Sequence, residues 1–247
     1  MSDGLRGLTV EQALQYLTER GHVVNQKTLD VERLAIQTML QHVTQQLPPG
    51  ERLPVIKADR QQELGSRAYT AEQVERLVSN MTPHNALATE IAYSCGLRAH
   101  ELLTIQRRDE RAPDVRPTLD SKWAGREGER YVVTGKGGLC REVLLPTPLA
   151  ARLEALRLDE PQRVTDRGIF YQQRYAIGGG QPWSNAVSRA STKQFGWSTG
   201  AHGLRHAYAQ ERVLELQTLE HSWEIALETV SQELGHFRPE ITMTYLR

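Results

Sequence analysis

Cysteine is scarce in this chain, which has two, Cys95 and Cys140, among its 247 residues. Two cysteines without a metal-type spacing predict neither a disulfide framework nor a cysteine-based zinc site. Long apolar runs are missing as well, because no stretch reaches the length that a bilayer span needs. The first residues also lack the apolar core of a signal peptide. We therefore expect a cytoplasmic protein that does not enter a membrane.

Net charge is a further absence, since 30 lysines and arginines balance 30 aspartates and glutamates. A domain that binds nucleic acid is usually clearly basic, so the total charge does not favour one. The charges are nevertheless unevenly distributed along the chain. Arginines are concentrated between Arg98 and Arg141, and we expect them to form a basic channel. We expect the side of the protein opposite this channel to be acidic, because acidic residues gather in predicted surface helices: Glu211, Glu215, Glu220, Glu224 and Glu228.

Two helical patterns open the chain and precede a proline-rich break. The first follows the capping-box residues Thr9 and Gln12. The second keeps the helical period from Leu29 to Gln46, after which consecutive prolines interrupt it. The predicted divisions are a short helical region at 1–46, a linker at 47–66 and a second domain at 67–247.

The second domain is predicted to be mainly α with a small antiparallel β-sheet, an α+β fold. An apolar helix over 86–93 ends near Gly96, which permits a sharp turn. The β-forming runs 130–134 and 139–145 flank a glycine-rich turn and predict a hairpin. The glycines at 178–180 predict a flexible, exposed loop. Further helices are predicted at 149–156, 184–195, 207–219 and 225–234.

A phosphate-binding pattern occurs near the C-terminus, where His202 and Arg205 lie three residues apart. If a helix starts at Thr199 or Gly200, both side chains share one face beside its exposed N–H groups. A guanidinium grips two phosphate oxygens, an imidazole adds a donor, and the helix N-terminus adds partial positive charge. The phenol of Tyr245, close to the chain end, is a nucleophile that can hold a covalent intermediate.

Three further residues are candidates for the same site. Arg98 follows the Gly96 turn, and Glu101, one turn on, can accept from its guanidinium. Taken alone, this pair is better interpreted as a surface ion pair of little worth, and only the glycine turn and the later motifs favour a site. Lys136 lies at the tip of the predicted hairpin, where a lysine is more often simply solvated. His236 follows a predicted helix end, which favours a protonated imidazole and suits a phosphate ligand.

His206 follows His202 at a spacing that could also bind zinc on a helix. The glutamate that a zinc-peptidase motif places after the first histidine is absent, because Gly203 stands there. We therefore interpret His206 as a buried, hydrogen-bonded neighbour of the site.

Taken together, these motifs resemble those of the tyrosine recombinases, the phage integrase family. The family has an arginine in a Gly-Leu-Arg-x-x-Glu-Leu turn, a hairpin lysine, His-x-x-Arg, Leu-Gly-His and a terminal tyrosine, in that order. This chain has the same order, and the match covers about the C-terminal two-thirds. The matching segments are 96–102, 135–138, 202–205, 234–236 and Tyr245.

The resemblance implies a site-specific DNA recombinase or integrase that cleaves and rejoins strands through a 3′-phosphotyrosine, without cofactor or metal. Tyr245 would be the nucleophile, His202 the base and Lys136 the acid for the leaving 5′ oxygen. Arg98, Arg205 and His236 would bind the phosphate, with Glu101 and His206 supporting them. The fold implied is a tyrosine recombinase catalytic domain preceded by a short helical domain.

Several alternatives stay open at the level of sequence. A type IB topoisomerase shares the chemistry, and a catalytically idle relative would only bind DNA. The N-terminal region resembles the family's core-binding domain, or it is a packing appendage without DNA contacts. The expected partner is double-stranded DNA in the prokaryotic nucleoid. Only two residues follow Tyr245, so we expect a monomer when free and a homo-tetramer on DNA.

Overall fold

The computed structural model describes residues 4–60 and 65–246. The chain forms two compact units, Met1–Leu64 and Gly65–Arg247. None of the described helices is both long and apolar enough to cross a membrane.

The first unit is a pair of helices with a small apolar core. The predicted capping box is confirmed, since Thr9 Oγ1 accepts from the Gln12 N–H and the Gln12 side chain accepts from the Thr9 N–H. Part of the predicted linker belongs to this core, because Leu47 and Leu53 are buried there. The elements are a 3-10 helix at Gly4–Gly7, helix α1 at Val10–Gly21 and helix α2 at Gln26–His42.

The second unit is mainly helical, as predicted. The expected turn after the apolar helix is confirmed, because Gly96 caps it with φ 62°. The segment after Arg98 forms a 3-10 turn at Glu101–Thr104, and Met243–Tyr245 forms another. The α-helices are α3 Ala71–Val78, α4 Pro83–Cys95, α5 Thr147–Glu154, α6 Gly180–Phe195, α7 His202–Thr218, α8 Trp223–Leu234 and α9 Pro239–Thr242.

Two small antiparallel sheets complete the second unit and confirm the α+β fold class. The first is three-stranded in the order β1-β2-β3, and its β2–β3 pair is the predicted hairpin. The second is a separate hairpin of β4 and β5, which sequence reasoning missed. The strands are β1 Gln106–Arg107, β2 Glu129–Thr134, β3 Cys140–Leu145, β4 Arg157–Asp166 and β5 Ile169–Tyr175.

Helix α4 lies at the centre of the main core, with β2 and β3 on one side and α6 on another. Its residues Ile91 and Ala92 are fully buried. Trp183 of α6 is 1% exposed and donates from Nε1 to Thr89 Oγ1 at 3.1 Å, so it belongs to the core. A second cluster joins α7, α8 and the C-terminal turn that holds Tyr245.

The glycines at 178–180 do not form the exposed loop that was predicted. Gly178 is buried, and a Cβ there would lie 2.2 Å from Asn85 Oδ1. Gly180 has φ +60° and starts α6, while the next amide, of Gln181, donates to Asp166 Oδ1 at 2.7 Å. The glycines are there because the chain passes too close to its neighbours for a side chain, so this connection is tight.

Candidate active site

Two helix ends bring the candidate residues together. Gly96 ends α4 and Gly235 ends α8, both in the left-handed conformation that favours glycine. A Cβ on Gly96 would lie 2.6 Å from Leu234 Cδ2, so the two ends pack against each other. Arg98 and His236, which follow these ends, are thereby placed in the same region.

Glu101 is the centre of a buried cluster of arginines. Its carboxylate accepts from the Arg98 backbone N–H at 2.8 Å, from Arg98 Nη1 at 3.2 Å and from Arg141 Nη2 at 2.9 Å. Arg205 Nη1 lies 3.8 Å from the same carboxylate. Burial alone would raise the pKa of Glu101, but the charges of Arg141, Arg205 and Arg98 lower it to about 2. With the Glu101 side chain fully buried, the surface ion-pair interpretation is wrong.

Arg205 lies beneath the site and is completely buried. Its guanidinium donates to the carbonyl of Gly96, to the Leu234 carbonyl at 2.6 Å and to His236 Nε2 at 2.9 Å. It thus satisfies carbonyls at the ends of both α4 and α8, where the helix dipoles favour a cation. Burial lowers the pKa of Arg205 to about 10, against the attraction of Glu101, so it is charged at neutral pH.

Tyr245 lies on top of this guanidinium. Its ring centroid is 5.5 Å from Arg205 Cζ and 5.2 Å from the His236 ring, which stacks on it. The Tyr245 hydroxyl is 3.4 Å from His236 Nε2. The residue is 6% exposed, and its backbone carbonyl accepts from Gln210 Nε2 at 3.0 Å and lies 3.1 Å from His206 Nδ1. The candidate nucleophile is therefore held at both its backbone and its ring.

His236 does not carry the proton that the sequence led us to expect. Burial and the charges of Arg205, Arg98 and Arg141 lower its pKa to about 3. A guanidinium only donates, so the Nε2 that faces Arg205 is an acceptor, and the ring is a neutral imidazole at pH 7. The positive cluster around His236 thus outweighs the helix C-terminus as a determinant of its charge.

His202 and His206 also lie against the Tyr245 ring. Helix α7 begins at His202, two or three residues later than the predicted start at Thr199 or Gly200, so the His202 side chain lies in the first turn. The ring centroids of His202 and His206 are 5.4 Å and 4.8 Å from that of Tyr245. Partial desolvation and the neighbouring charge of Arg205 lower the pKa of His202 to about 4. His206 is buried, as predicted, and both histidines contact the candidate nucleophile.

A cleft of about 290 Å³ opens beside these residues, and we call it the catalytic cleft after the roles predicted for Arg98, Lys136 and His202, which line it. It is lined by the basic side chains of Arg98, Lys136 and Arg167, together with His100 and His202. No carboxylate is among its lining residues in the part of the chain that the structure describes. Lys136 is exposed at the tip of the β2–β3 turn, where the sequence placed it. The cleft is therefore an anion-binding environment within a chain of zero net charge.

Two residues of this region were missed by sequence reasoning. Arg141 is 4% exposed on β3 and donates to both Glu101 and the Glu233 carbonyl, the latter at 2.6 Å. Arg167 lies in the turn of the unpredicted β4–β5 hairpin. An arginine within an apolar strand and an Arg-Gly turn between β-forming runs were the available signals. Within residues 4–60 and 65–246, no group of three or more histidine, cysteine or acidic side chains is arranged to hold a metal ion.

A second buried ion pair lies behind the site. Arg212 and Glu233 are both buried, and Arg212 Nε and Nη2 donate to the carboxylate at 3.1–3.2 Å. Tyr208 Oη and the Trp123 backbone N–H also donate to Glu233, at 2.8 Å and 2.9 Å. This network joins α7 to the end of α8 immediately before His236, and so supports the position of the site.

Comparison with known proteins gives matches in structure and none in sequence. No protein-family model matches the chain, and no curated protein matches it. Solved structures match over nearly the whole chain. XerH, a site-specific recombinase bound to its difH substrate in a post-cleavage complex, has a TM-score of 0.57 at 17% identity, over 98% of this chain and 67% of XerH.

Two integrases give a similar result. A lambda integrase dimer bound to a COC' core site has a TM-score of 0.57 at 15% identity, over 100% of this chain and 81% of that one. The Tn1549 transposon integrase in complex with transposon right end DNA has a TM-score of 0.56 at 12% identity, over 98% and 82%. The chain therefore has the tyrosine recombinase fold, as the order of its motifs predicted.

Proposed function

We propose that this chain is a tyrosine recombinase that cleaves and rejoins DNA strands at specific sites through a covalent phosphotyrosine. The observation that carries the proposal is the position of Tyr245, in ring contact with three histidines and an arginine beside the cationic catalytic cleft. The fold shared with recombinases and integrases solved on DNA supports the same conclusion.

The chemistry required of the site is stabilisation of negative charge. Attack of a phenolate on a phosphodiester gives a pentavalent transition state with added charge on its non-bridging oxygens. Preorganised donors at those oxygens are the largest source of catalysis for such a step. Arg98, Arg205 and His236 are the proposed donors. Arg205 is covered by the Tyr245 ring, so this ring must turn aside for Arg205 to reach the phosphate.

Proton transfers accompany the attack and the departure of the 5′ oxygen. In the free chain His236 Nε2 accepts from Arg205 and lies 3.4 Å from the Tyr245 hydroxyl. A bound phosphate favours the protonated form of His236 and makes it a donor. His202, neutral with a pKa of about 4 and in ring contact with Tyr245, then takes the phenol proton. Lys136 protonates the leaving 5′ oxygen, as a general acid from the hairpin tip.

Strand transfer then follows from the reversibility of the linkage. The phosphotyrosine retains a phosphoester bond, so a 5′ hydroxyl can attack it and release the tyrosine without an energy source. Rejoining to the strand of a second duplex is recombination, whereas rejoining to the original strand is topoisomerase-like relaxation. Relaxation of a plasmid that lacks a recombination site would favour the topoisomerase alternative.

Assembly on DNA belongs to the same proposal. Two duplexes exchange all their strands only if four protomers act together, so we propose a homo-tetramer on paired sites and a monomer when free. Such an enzyme would act in the cytoplasm of a prokaryotic cell, on nucleoid DNA. Light scattering with and without DNA distinguishes this assembly from a tetramer that exists before DNA is bound.

The test of the proposed function is covalent capture from a pool of nicked duplexes with randomised sequence. A nick close to the cleavage point makes the fragment with the new 5′ hydroxyl so short that it diffuses away. Without that hydroxyl the strand cannot be rejoined, and the protein–DNA adduct accumulates. We expect the wild-type chain to form an adduct that survives denaturing electrophoresis, and sequencing of the captured DNA to give its site. Tyr245→Phe should bind the same duplex and form no adduct, because only the nucleophilic oxygen is removed.

The control substitution is Tyr93→Phe, which removes a phenol oxygen on α4 that donates to Glu211 Oε1 at 2.6 Å, outside both the site and its clefts, and should leave the adduct unchanged. An adduct that persists in Tyr245→Phe would assign the nucleophile to another residue. Binding of the wild-type chain without any adduct would instead identify a catalytically idle DNA-binding protein.

A further inference from the structure

The tip of the β4–β5 hairpin holds an arginine in an uncommon backbone conformation. Asp166 pairs with Ile169, which leaves Arg167 and Gly168 as a two-residue turn. Both have positive φ, 49° and 78°, as a type I′ turn requires. Asn-Gly is the preferred sequence for this turn, and an arginine adopts positive φ only at a cost. Turn formation therefore does not explain why an arginine stands here.

The side chain of Arg167 is held at its base and open at its end. Arg167 Nε donates to Asp166 Oδ2 at 3.3 Å, and Asp166 is itself buried and fixed by the Gln181 amide. The Arg167 side chain nevertheless remains 60% exposed. Its position is thus set by α6, while its guanidinium stays available to a ligand.

The other three arginines of the hairpin are already engaged elsewhere. Arg157 Nη2 and Arg174 Nε lie 2.6 Å and 3.3 Å from Glu110 Oε1. Arg163 stacks over the Phe170 ring, with its Cζ 3.7 Å from the centroid. Arg167 differs from all of them because it lines the catalytic cleft.

A second cleft, of about 680 Å³, adjoins the catalytic cleft and shares a wall with it. The shared wall is formed by His100, Lys136 and Arg167, which line both clefts. His100 presents a buried Nε2 that has no hydrogen-bond partner. A DNA strand whose scissile phosphate occupies the catalytic cleft continues into the adjoining space, where these groups would meet its next phosphate.

We propose that Arg167, assisted by His100, binds the backbone phosphate adjacent to the scissile one and so fixes the register of the cleaved strand. This assignment rests on the proposed function, since it places the scissile phosphate beside Tyr245. The second cleft then accommodates the nucleotide attached to that neighbouring phosphate. Asn would suit the turn better than Arg, so we attribute the arginine at this position to its contact with the neighbouring phosphate.

Binding of the full chain to a random-sequence duplex tests the contact without requiring cleavage. Each phosphate contact on B-DNA contributes about −0.9 to the slope of log K against log salt. Arg167→Asn should reduce the slope by about that amount, and Arg167→Lys should restore it. Arg163→Gln removes a charge from the same hairpin outside both clefts and should leave the slope unchanged. Because Asn-Gly suits the turn, Arg167→Asn should also keep or raise the melting temperature.

Methylphosphonate substitution then locates the phosphate. On the captured nicked duplex, neutralising one phosphate next to the scissile one should slow adduct formation by wild type as much as Arg167→Asn does. Arg167→Asn should form the adduct on this methylphosphonate duplex at the same rate as on the unmodified duplex. An unchanged salt slope together with additive losses at every position would overturn the assignment. Failure of wild type to form any adduct would instead count against the proposed function, and the salt slope would still decide the contact.

Discussion

Two buried carboxylates in the second unit are paired with arginines, yet the balance of charge differs between them. Glu233 faces one guanidinium, that of Arg212, and its remaining donors are the neutral Tyr208 hydroxyl and a backbone amide. Glu101 faces three guanidiniums, two in hydrogen-bond contact and the third at 3.8 Å. The first network is neutral within itself, whereas the second has an excess of positive charge.

This difference indicates that the Glu233 network is a structural ion pair, whereas the Glu101 network favours the binding of an anion. A buried pair that balances its own charge needs nothing further to be stable. The excess around Glu101 is costly in the absence of a ligand, because like charges repel strongly where water is excluded. A phosphate in the catalytic cleft would relieve that repulsion. The excess positive charge therefore strengthens anion binding and lowers the stability of the free protein.

Glu101→Gln should have the largest effect, because it leaves three guanidiniums together without a carboxylate. Removing one partner of a buried ion pair costs about 3–5 kcal/mol. We expect a loss of this size in the free energy of unfolding measured with urea, together with loss of the DNA adduct. A loss no greater than that of Glu233→Gln would remove the distinction between the two networks.

Glu233→Gln should be milder, since the amide oxygen can still accept from Arg212 and the Arg212 guanidinium keeps its salt bridge to Glu215 Oε2 at 3.0 Å. Leaving a buried polar group imperfectly paired costs about 1–3 kcal/mol. The decisive measurement is adduct formation at a temperature where the variant is folded, and we expect the wild-type rate. A variant that is folded but inactive would show that the Glu233 network also acts on the reaction.

Arg141→Lys should lower the free energy of unfolding less than either glutamate substitution, and it should slow adduct formation. Arg141 connects the two networks, donating to the Glu101 carboxylate and to the Glu233 carbonyl. A lysine carries the charge but lacks the fork that reaches both acceptors, so one hydrogen bond is lost, worth about 1 kcal/mol. Urea unfolding measures this loss, and adduct formation should slow because the Glu101 side of the connection is weakened. Equal rates for variant and wild type would contradict a positioning role for Arg141.

The smallest effect is expected from the histidine beside the cluster and should appear in the pH dependence of stability. The pKa of His236 is lowered to about 3, so its contribution is complete above the ordinary value of 6.5 and is lost as pH falls towards 3. Glu101, with a pKa of about 2, loses its contribution only below 4.5. Melting temperatures between pH 7 and pH 5 should fall less steeply for His236→Gln than for wild type. His84→Gln, an exposed change on α4, should retain the wild-type slope.

Much of this site could be predicted because its signals are local. The capping box at Thr9, the glycine turns after α4 and α8 and the β2–β3 hairpin depend on neighbours in sequence. Their order along the chain was enough to identify the fold. The phenol, the imidazoles and Arg98 were recognisable for the same reason, as side chains tied to those local features.

The remaining features could not be predicted because they depend on distant partners. Arg141 is buried because Glu101 and the end of α8 surround it, and neither lies near it in sequence. The glycines at 178–180 predicted a flexible loop, whereas Asn85 and Asp166 pack so closely against them that there is no space for a side chain. The charge of His236 was predicted wrongly because the helix end is a local feature, while the three arginines that determine its pKa are assembled by the fold.

The attachment of the Tyr245 backbone to helix α7 bears on which protomer supplies the nucleophile. The Tyr245 carbonyl is bound by Gln210 and lies against His206, on the same helix that carries Arg205 and His202. If the proposed function holds, a tyrosine tied to the helix that carries Arg205 would cut the strand bound by the arginines of its own protomer, so we expect cleavage in cis. Mixing Tyr245→Phe with Arg98→Ala protomers should then restore no adduct, whereas donation of the tyrosine to a neighbour would restore it.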